Sequence, residues 1–247
     1  MKLYLIRHAQ SENNVLWQGT DQFDGRSSDQ EITKTGHQQA EQLAQHLVHP
    51  EGEPLQHPFK PVKTSHFGLS HVYCSLMTRS ILTASYIANA CNLELQALPD
   101  IFEKYGIFEV DEEGDRQGLP GPGRDYFTDR FPGINLPQDL PENGWWNRPA
   151  ETNDEFQNRV RSVVENIRSN HAHTDDCIAM VVHGDFKDQF INELMGVHRH
   201  ENNYDSDWDA NWAFHNTSIS RIDFIQGSHN VVYLNRIDHL PVELVTW

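Results

Sequence analysis

Cysteine is scarce: Cys74, Cys91 and Cys177 are the three in 247 residues. So few, odd in number and widely spaced, they exclude a disulfide framework and make a reducing cytoplasm the expected location. Long apolar runs are missing too. Leu3 to Ile6, between Lys2 and Arg7, is too short for a signal-peptide core, and no later stretch approaches a membrane span. Basic residues are few, with 19 Lys and Arg against 36 Asp and Glu, for a net charge of −17. Such a surface repels nucleic acid and anionic membranes, so neither is an expected partner. A small anionic substrate stays allowed, because a cluster of Arg and His reverses the potential inside one pocket. Internal repeats and linkers are also absent, so a single domain over residues 1–247 is expected.

What is present alternates strand with helix. Lys2 to Ile6 reads as a short buried strand ending at Arg7-His8. Ala40, Leu43, Ala44 and Leu47 fall at helical spacing, with Thr33 or Thr35 as a cap. Val72 to Cys74 reads as a second strand, and Ser75 is placed to cap a helix whose Ala84, Ile87, Ala88 and Cys91 share a face. Glu94 to Leu98 is a third strand candidate. Phe156, Val160, Val163, Val164 and Ile167 define another amphipathic helix, opened by a Thr152–Glu155 capping box. The apolar run Ile178 to Val182 suits a parallel strand buried on both faces, ending at His183-Gly184. A helix through Phe190, Ile191, Leu194 and Met195 follows, stopped by Gly196, and Ser218–Phe224 with Val231–Leu234 reads as a terminal hairpin. The pattern predicts a three-layer α/β/α fold around a mostly parallel sheet.

Two stretches break the alternation. Residues Gly114 to Pro149 hold six Gly and six Pro in 36 residues, interleaved with Tyr126, Phe127, Phe131, Trp145 and Trp146. An irregular insert at about 107–151 is expected here, with the Trp145-Trp146 segment as a lid. The second, at about 197–216, is rich in His, Asp, Asn and Trp and is expected to form another part of the rim.

Arg7, His8 and His183 sit where strands end, and Arg79 lies in the first turn after the second strand. In open α/β sheets ligands bind outside the carboxyl ends of the strands, so neighbouring strands would bring these residues to one crevice. Two Arg and two His there make an oxyanion cradle, because a guanidinium meets phosphate oxygens with paired hydrogen bonds and keeps its charge.

Taken together the segments resemble the histidine phosphatase superfamily, also called the phosphoglycerate mutase-like family. The resemblance rests on Leu5-Ile6-Arg7-His8-Ala9-Gln10-Ser11 with Asn14, then Ile32-Thr33, Gly36 and Gln39-Ala40. It continues through Tyr73-Cys74-Ser75-Leu76-Met77-Thr78-Arg79 with Thr83-Ala84, and Phe102-Glu103 with Gly106. Val181-Val182-His183-Gly184, Asn216 to Ser218 and Asn235 to Leu240 complete it. The resemblance implies a phosphoglycerate mutase-like fold and a histidine acid phosphatase-type phosphomonoesterase needing no cofactor or metal. His8 would be the nucleophile, forming a phosphohistidine. Arg7, Asn14, Arg79 and His183 would bind the phosphoryl oxygens, His183 also counting among the catalytic residues. Glu103 would be the general acid and base, a role for which Glu109, Glu112 and Glu113 are sequence neighbours.

The departures are Ala9 and Gln10, where Gly and Glu are more usual, and Asp185 after His183-Gly184. Asp185 could orient His183, repel substrate, or begin a helix as a favourable N-terminal anion, the default among the three. Asp205-x-Asp207-x-Asp209 resembles the start of a calcium loop, but Ala210 stands where Gly is needed and Asn216 where Glu is needed. His198 and His200 with those aspartates are candidate metal ligands that the implied mechanism does not use. Asn216-Thr217-Ser218 is formally a glycosylation triplet. A phosphatase for a small phosphomonoester leads. A phosphoglycerate-type mutase, a non-catalytic phosphate-binding protein and a metal-dependent hydrolase are the alternatives. Against the mutase, the run Glu103-Lys104-Tyr105-Gly106-Ile107-Phe108-Glu109 lacks the Arg-His pair of the mutases.

Overall fold

A computed structural model describes residues 1–17, 25–48, 67–197, 211–225 and 227–247. The chain runs β1 (Lys2–Arg7), α1 (Glu12–Trp17), α2 (Lys34–Val48), β2 (His71–Cys74), α3 (Thr78–Cys91) and β3 (Leu95–Ala97). It continues through β4 (Phe108–Val110), β5 (Arg116–Gly118), α4 (Arg124–Arg130), α5 (Asn153–His171) and β6 (Cys177–Val182). Then come α6 (Gly184–Met195), β7 (Ile219–Ile225), β8 (Ser228–Arg236) and a 3-10 turn at Val242–Leu244. None of the described helices is long and apolar enough to cross a membrane.

Six strands form one sheet in the order β3-β2-β6-β1-β7-β8, with β4 and β5 making a separate hairpin. Pairings among β1, β2, β3 and β6 are parallel, and β7 and β8 add an antiparallel edge. Strand side chains alternate between two cores, as a period of two requires. Leu3, Leu5, Ile178, Met180 and Val182 face α5 and α6, meeting Phe156, Val160, Phe186 and Phe190. Tyr4, Ile6, Ala179 and Val181 face α2 and α3, meeting Leu43, Leu47, Ile81 and Ile87. Helices on both faces of a mostly parallel sheet make the three-layer α/β/α fold.

Local signals hold at several ends. Thr152 and Glu155 form a reciprocal capping box on α5, and Gly196 ends α6 in the left-handed region at φ +67°. Thr33 Oγ1 accepts from Gly36 N at 3.0 Å, starting α2. Ser75 departs from expectation: α3 begins after Met77 with no side-chain cap, and Thr78 N donates instead to Asp29 Oδ1 at 2.9 Å.

The insert also differs from the irregular excursion expected. It contains β4, β5 and α4, and Asn135 pairs along the edge of β3, accepting from Ala97 N and donating to Leu95 O. Its glycines serve close approach more than freedom. A Cβ on Gly118 would stand 1.9 Å from Arg148 O. Trp146 is no outer flap: it is buried with Met77, Phe102 and Ile107. Residues 198–210, which carry His198, His200 and the Asp205–Asp209 run, lie outside the described residues. The remainder of that expected rim turns inward, with Phe214 in the core and Trp212 Nε1 on Asn192 Oδ1 at 2.9 Å.

Gly106 is the residue this packing tolerates least changed, since its φ is +76° and an added Cβ would meet Trp146 Cζ2 at 2.4 Å. Gly106→Ala is expected to destabilise the fold by roughly 2–4 kcal/mol through strain and overpacking. Denaturant melts giving a change below 0.5 kcal/mol (about the size of a neutral surface substitution) would contradict the tight Trp146 contact.

Candidate active site

Strand register builds the centre of the site. Arg7 pairs with Val182, so His8 and His183 leave adjacent parallel strands side by side. His8 N donates to Val182 O at 2.9 Å, and the two imidazole centroids are 5.2 Å apart. Cys74 is level with Val181 on β2, which brings the start of α3 and Arg79 to the same edge.

The protonation of His8 follows from its neighbours. Nδ1 is 2.7 Å from the Ala9 carbonyl oxygen, an acceptor only, so Nδ1 carries the proton. Nε2 receives Arg79 Nε at 3.2 Å, a donor only, so Nε2 presents a lone pair. Burial, then Arg79 and Arg7, hold His8 well below its ordinary pKa, which keeps the ring neutral. The structure therefore holds a neutral imidazole whose unprotonated Nε2 is held by a hydrogen bond from Arg79.

Arg7 is anchored through Nη1 on Phe214 O, while its buried Nε has no partner among the described residues. Arg79 is buried, and burial lowers it to about 10, which still leaves it charged at neutral pH. Asn14 Oδ1 accepts from Ser11 N and Ser11 Oγ, each at 3.0 Å, and from Asn216 Nδ2 at 3.2 Å. Its carbonyl is thereby occupied, and the amide NH₂ is the half left for a ligand.

Among the four neighbouring glutamates, Glu103 is the one beside the cradle. Its Oε1 accepts from Lys104 N at 2.9 Å and Phe186 N at 3.1 Å, and its Oε2 from Asp185 N at 3.3 Å. Burial and then the Asp185 carboxylate push Glu103 up to about 7, against Arg79 and the backbone donors, which pull it down. Glu109 lies on the pocket rim, whereas Glu112 and Glu113 are exposed at the hairpin turn. Asp185 does open α6 as a helix-favouring anion, and it also sets the charge beside Glu103.

The pocket above these groups has a volume of about 580 Å³. Five of the chain's 19 basic residues line it, Arg7, Arg26, Arg79, Lys104 and Arg116, against three carboxylates, Glu103, Glu109 and Asp185. The chain-wide excess of acid is thus reversed where a ligand would enter.

With two histidines and two arginines gathered at the carboxyl ends of β1, β2 and β6, the sequence can be set against known families. The profile of the histidine phosphatase superfamily (branch 1) matches residues 3–57 and 61–237. The chain belongs to that superfamily. No curated protein sequence matches it significantly. Among solved structures it is similar to a phosphoserine phosphatase from Entamoeba histolytica in complex with 3-phosphoglyceric acid. That likeness has 20% identity and a TM-score of 0.56, over 97% of this chain and 99% of that one. It is similar to a mycobacterial glucosyl-3-phosphoglycerate phosphatase in complex with VO3, at 16% identity and TM-score 0.58 over 96% and 99%. An ecdysone phosphate phosphatase from Bombix mori, in complex with tungstate, gives 13% and 0.59 over 97% and 95%. At these identities the structural likeness speaks for the superfamily's fold alone.

Several contacts around the cradle escaped the sequence reading. Gln10 turns away from the pocket, accepting from Thr33 Oγ1 at 2.7 Å, while its backbone N donates to Gln39 Oε1 at 2.7 Å. Asn216, Thr217 and Ser218 are fully buried, which rules out the glycosylation triplet as an acceptor here. Asn216 Nδ2 instead donates to His8 O at 3.1 Å, and Thr217, at φ +57°, donates its N to Arg7 O at 3.0 Å. A β-branched residue in the left-handed region is strained, and here it lies directly under the Arg7-His8 turn. Lys187 is buried beneath Arg7, its Nζ on Ser218 O at 2.9 Å, and burial lowers its pKa strongly. His71, His171 and Asp176 have potential metal-ligand atoms within 4.8 Å of one another. They lie at the amino ends of β2 and β6, away from His8, and Ser70, Tyr73 and Asp176 occupy three of their four ring nitrogens.

The Glu103 environment makes a direct prediction. Below about pH 7 its carboxyl is neutral, and above it the group ionises. Carbon-13 NMR of the glutamate carboxyls should find one titrating near neutrality, and Asp185→Asn should lower that midpoint by removing a raising charge. A wild-type midpoint in the ordinary carboxylate range would refute the assignment.

Proposed function

We propose that the protein is a metal-independent phosphohydrolase of the histidine acid phosphatase type, acting on a small phosphomonoester through a phosphohistidine at His8. The observation that carries the reading is the state of His8, neutral, protonated at Nδ1 and directing Nε2 at Arg79. In the first step Nε2 forms a bond to phosphorus as the ester P–O bond breaks, and Glu103 gives its proton to the departing oxygen. In the second, water attacks phosphorus, Glu103 takes a proton from it, and the N–P bond breaks to release phosphate. Arg7, Arg79, His183 and the Asn14 amide offset charge on the nonbridging oxygens. Fixed cations do here what a metal clamp does elsewhere. The phosphatase names of the structural relatives support hydrolysis over mutation. So does the absence of the mutases' Arg-His pair after Glu103. Three free cysteines support a reducing compartment, and the net charge of −17 argues against nucleic acid or anionic membranes as partners.

In a chelator-containing assay with a phosphomonoester labelled in its phosphoryl group, wild type should release inorganic phosphate and yield acid-labile label on a His8 peptide. His8→Ala should lose about 10³-fold or more in kcat with its fold intact. Retention of a tenth of wild-type turnover, or dependence on one added metal, would overturn the mechanism.

The rim narrows the substrate class. Arg116 stacks 4.0 Å over the Tyr105 ring, and Lys104 Nζ lies 4.9 Å from the same ring. Arg26 stands close enough to Arg116 for repulsion to lower its pKa, after burial. Two cations at one aromatic ring, with Arg26 near Arg116 and beyond the phosphate cradle, suit a second anionic group on the substrate. Phosphomonoesters of hydroxy acids should therefore exceed their neutral amide analogues about tenfold or more in kcat/KM, the worth of a charge-assisted hydrogen bond. Arg116→Ala should erase most of that ratio while sparing turnover of the neutral analogue. Equal kcat/KM for the two substrates would remove the second-anion reading without touching the His8 chemistry.

A further inference from the structure

His183 is fully buried, and its two nitrogens have unequal surroundings. Nε2 is 2.8 Å from Ser75 Oγ, whereas Nδ1 is buried with no partner among the described residues. Burial, then Arg79, His8, Arg159 and Arg7, hold the ring's pKa well below its ordinary value. A neutral imidazole carries one proton, so its placement decides whether Nδ1 donates to an anion or repels it with a lone pair.

The Ser75 hydroxyl resolves the choice. Its oxygen accepts from Met77 N at 3.2 Å, and no acceptor for its proton other than His183 Nε2 is present among the described residues. Were Nε2 protonated, the Ser75 hydroxyl would be a buried donor without an acceptor, and Nδ1 a lone pair beside an anion site. With Ser75 donating to Nε2, both costs vanish and Nδ1–H is left for a ligand oxygen.

We infer that Ser75 is a positioning residue that fixes His183 in the Nδ1–H tautomer and so makes it a donor to the phosphoryl group. The chain of donors runs from Met77 N through Ser75 Oγ and His183 to the ligand, starting at the end of the helix that carries Arg79. His8 has the same tautomer by a different device, the Ala9 carbonyl, and its bare nitrogen is the Nε2 met by Arg79. One ring thus presents an acceptor and the other a donor, with ring centroids 5.2 Å apart. The ligand's identity as a phosphoryl group rests on the function proposed above, but the tautomer does not.

Nitrogen-15 NMR of histidine-labelled protein separates the two. Wild type should show His183 with Nδ1 protonated and Nε2 bare, and Ser75→Ala should shift the ring toward Nε2–H while the His8 signals hold. Vanadate affinity should fall roughly 10–100-fold in Ser75→Ala, the range for a lost charge-assisted hydrogen bond. Ser75→Cys, similar in shape with a weaker donor, should fall between. Wild-type His183 bare at Nδ1 would overturn the inference even if Ser75→Ala failed to fold, and so would an unchanged tautomer in a folded Ser75→Ala. The expected tautomers with no turnover of any phosphomonoester would instead sink the phosphatase reading and leave Ser75's role standing.

Discussion

The parallel pairing of β1 with β6 decides where every other part of the site must stand. Arg7 opposite Val182 brings His8 and His183 out of the sheet together, with a backbone hydrogen bond from His8 N to Val182 O holding the two turns level. A slip of one residue would send one imidazole to the wrong face, since strand side chains alternate. Both faces of this pair are buried, on α5 and α6 one way and α2 and α3 the other, so the register is locked by two cores at once. The other members are added around that seam. Arg79 arrives from β2 on one side, and Asn216 from the approach to β7 on the other.

Gathering Arg7, Arg79 and a buried Lys187 beneath one surface is costly, because each loses hydration. The structure offsets that cost with carbonyl oxygens for the most part. Arg7 Nη1 is met by Phe214 O and Lys187 Nζ by Ser218 O. The half-buried Asp29 carboxylate, bonded to Thr78 N and Oγ1, sits near Arg79. Burial first, and then the field of the same arginines, keeps both histidines neutral. The bare Nε2 of His8 and the cationic cradle are therefore one electrostatic arrangement, and a bound anion would relieve repulsion already present in the free protein.

Features set by neighbours in the chain were legible in the sequence. The apolar runs of β1 and β6, the α5 stripe from Phe156 to Ile167 and the Thr152–Glu155 box stand as read, and so does the meeting of Arg7, His8, Arg79, Glu103 and His183. What failed was local inference about residues whose partners are distant. Ser75 looks like a helix cap because Ser often is one, yet its partner His183 is 108 residues away. Asp29 gave no signal, and Thr78, which it caps, is 49 residues on. The Gly and Pro of the insert read as looseness, whereas Gly118 is required by a carbonyl 30 positions further along the chain, at Arg148. Composition records that glycine is there, not what approaches it.

That difference bears on how Glu103 acquires its character. A lid would dry the carboxyl only on closing, and its pKa would then rise with substrate binding. Here the turn from Asp100 to Gly106 is clamped from three sides without a ligand. Arg159, paired with Glu151 at 2.6 Å, donates to the carbonyls of Asp100 and Phe102 and lies 3.5 Å over the Phe102 ring. Glu151 N reaches Tyr105 O, and Trp146 fills the space behind Gly106. The start of α6 then supplies Asp185 N and Phe186 N to the carboxylate itself. The packing that raises Glu103 toward 7 is thus already present without a ligand. The insert packs as a wall behind Glu103, and the β4–β5 hairpin lines the pocket with Phe108, Glu109, Val110 and Arg116.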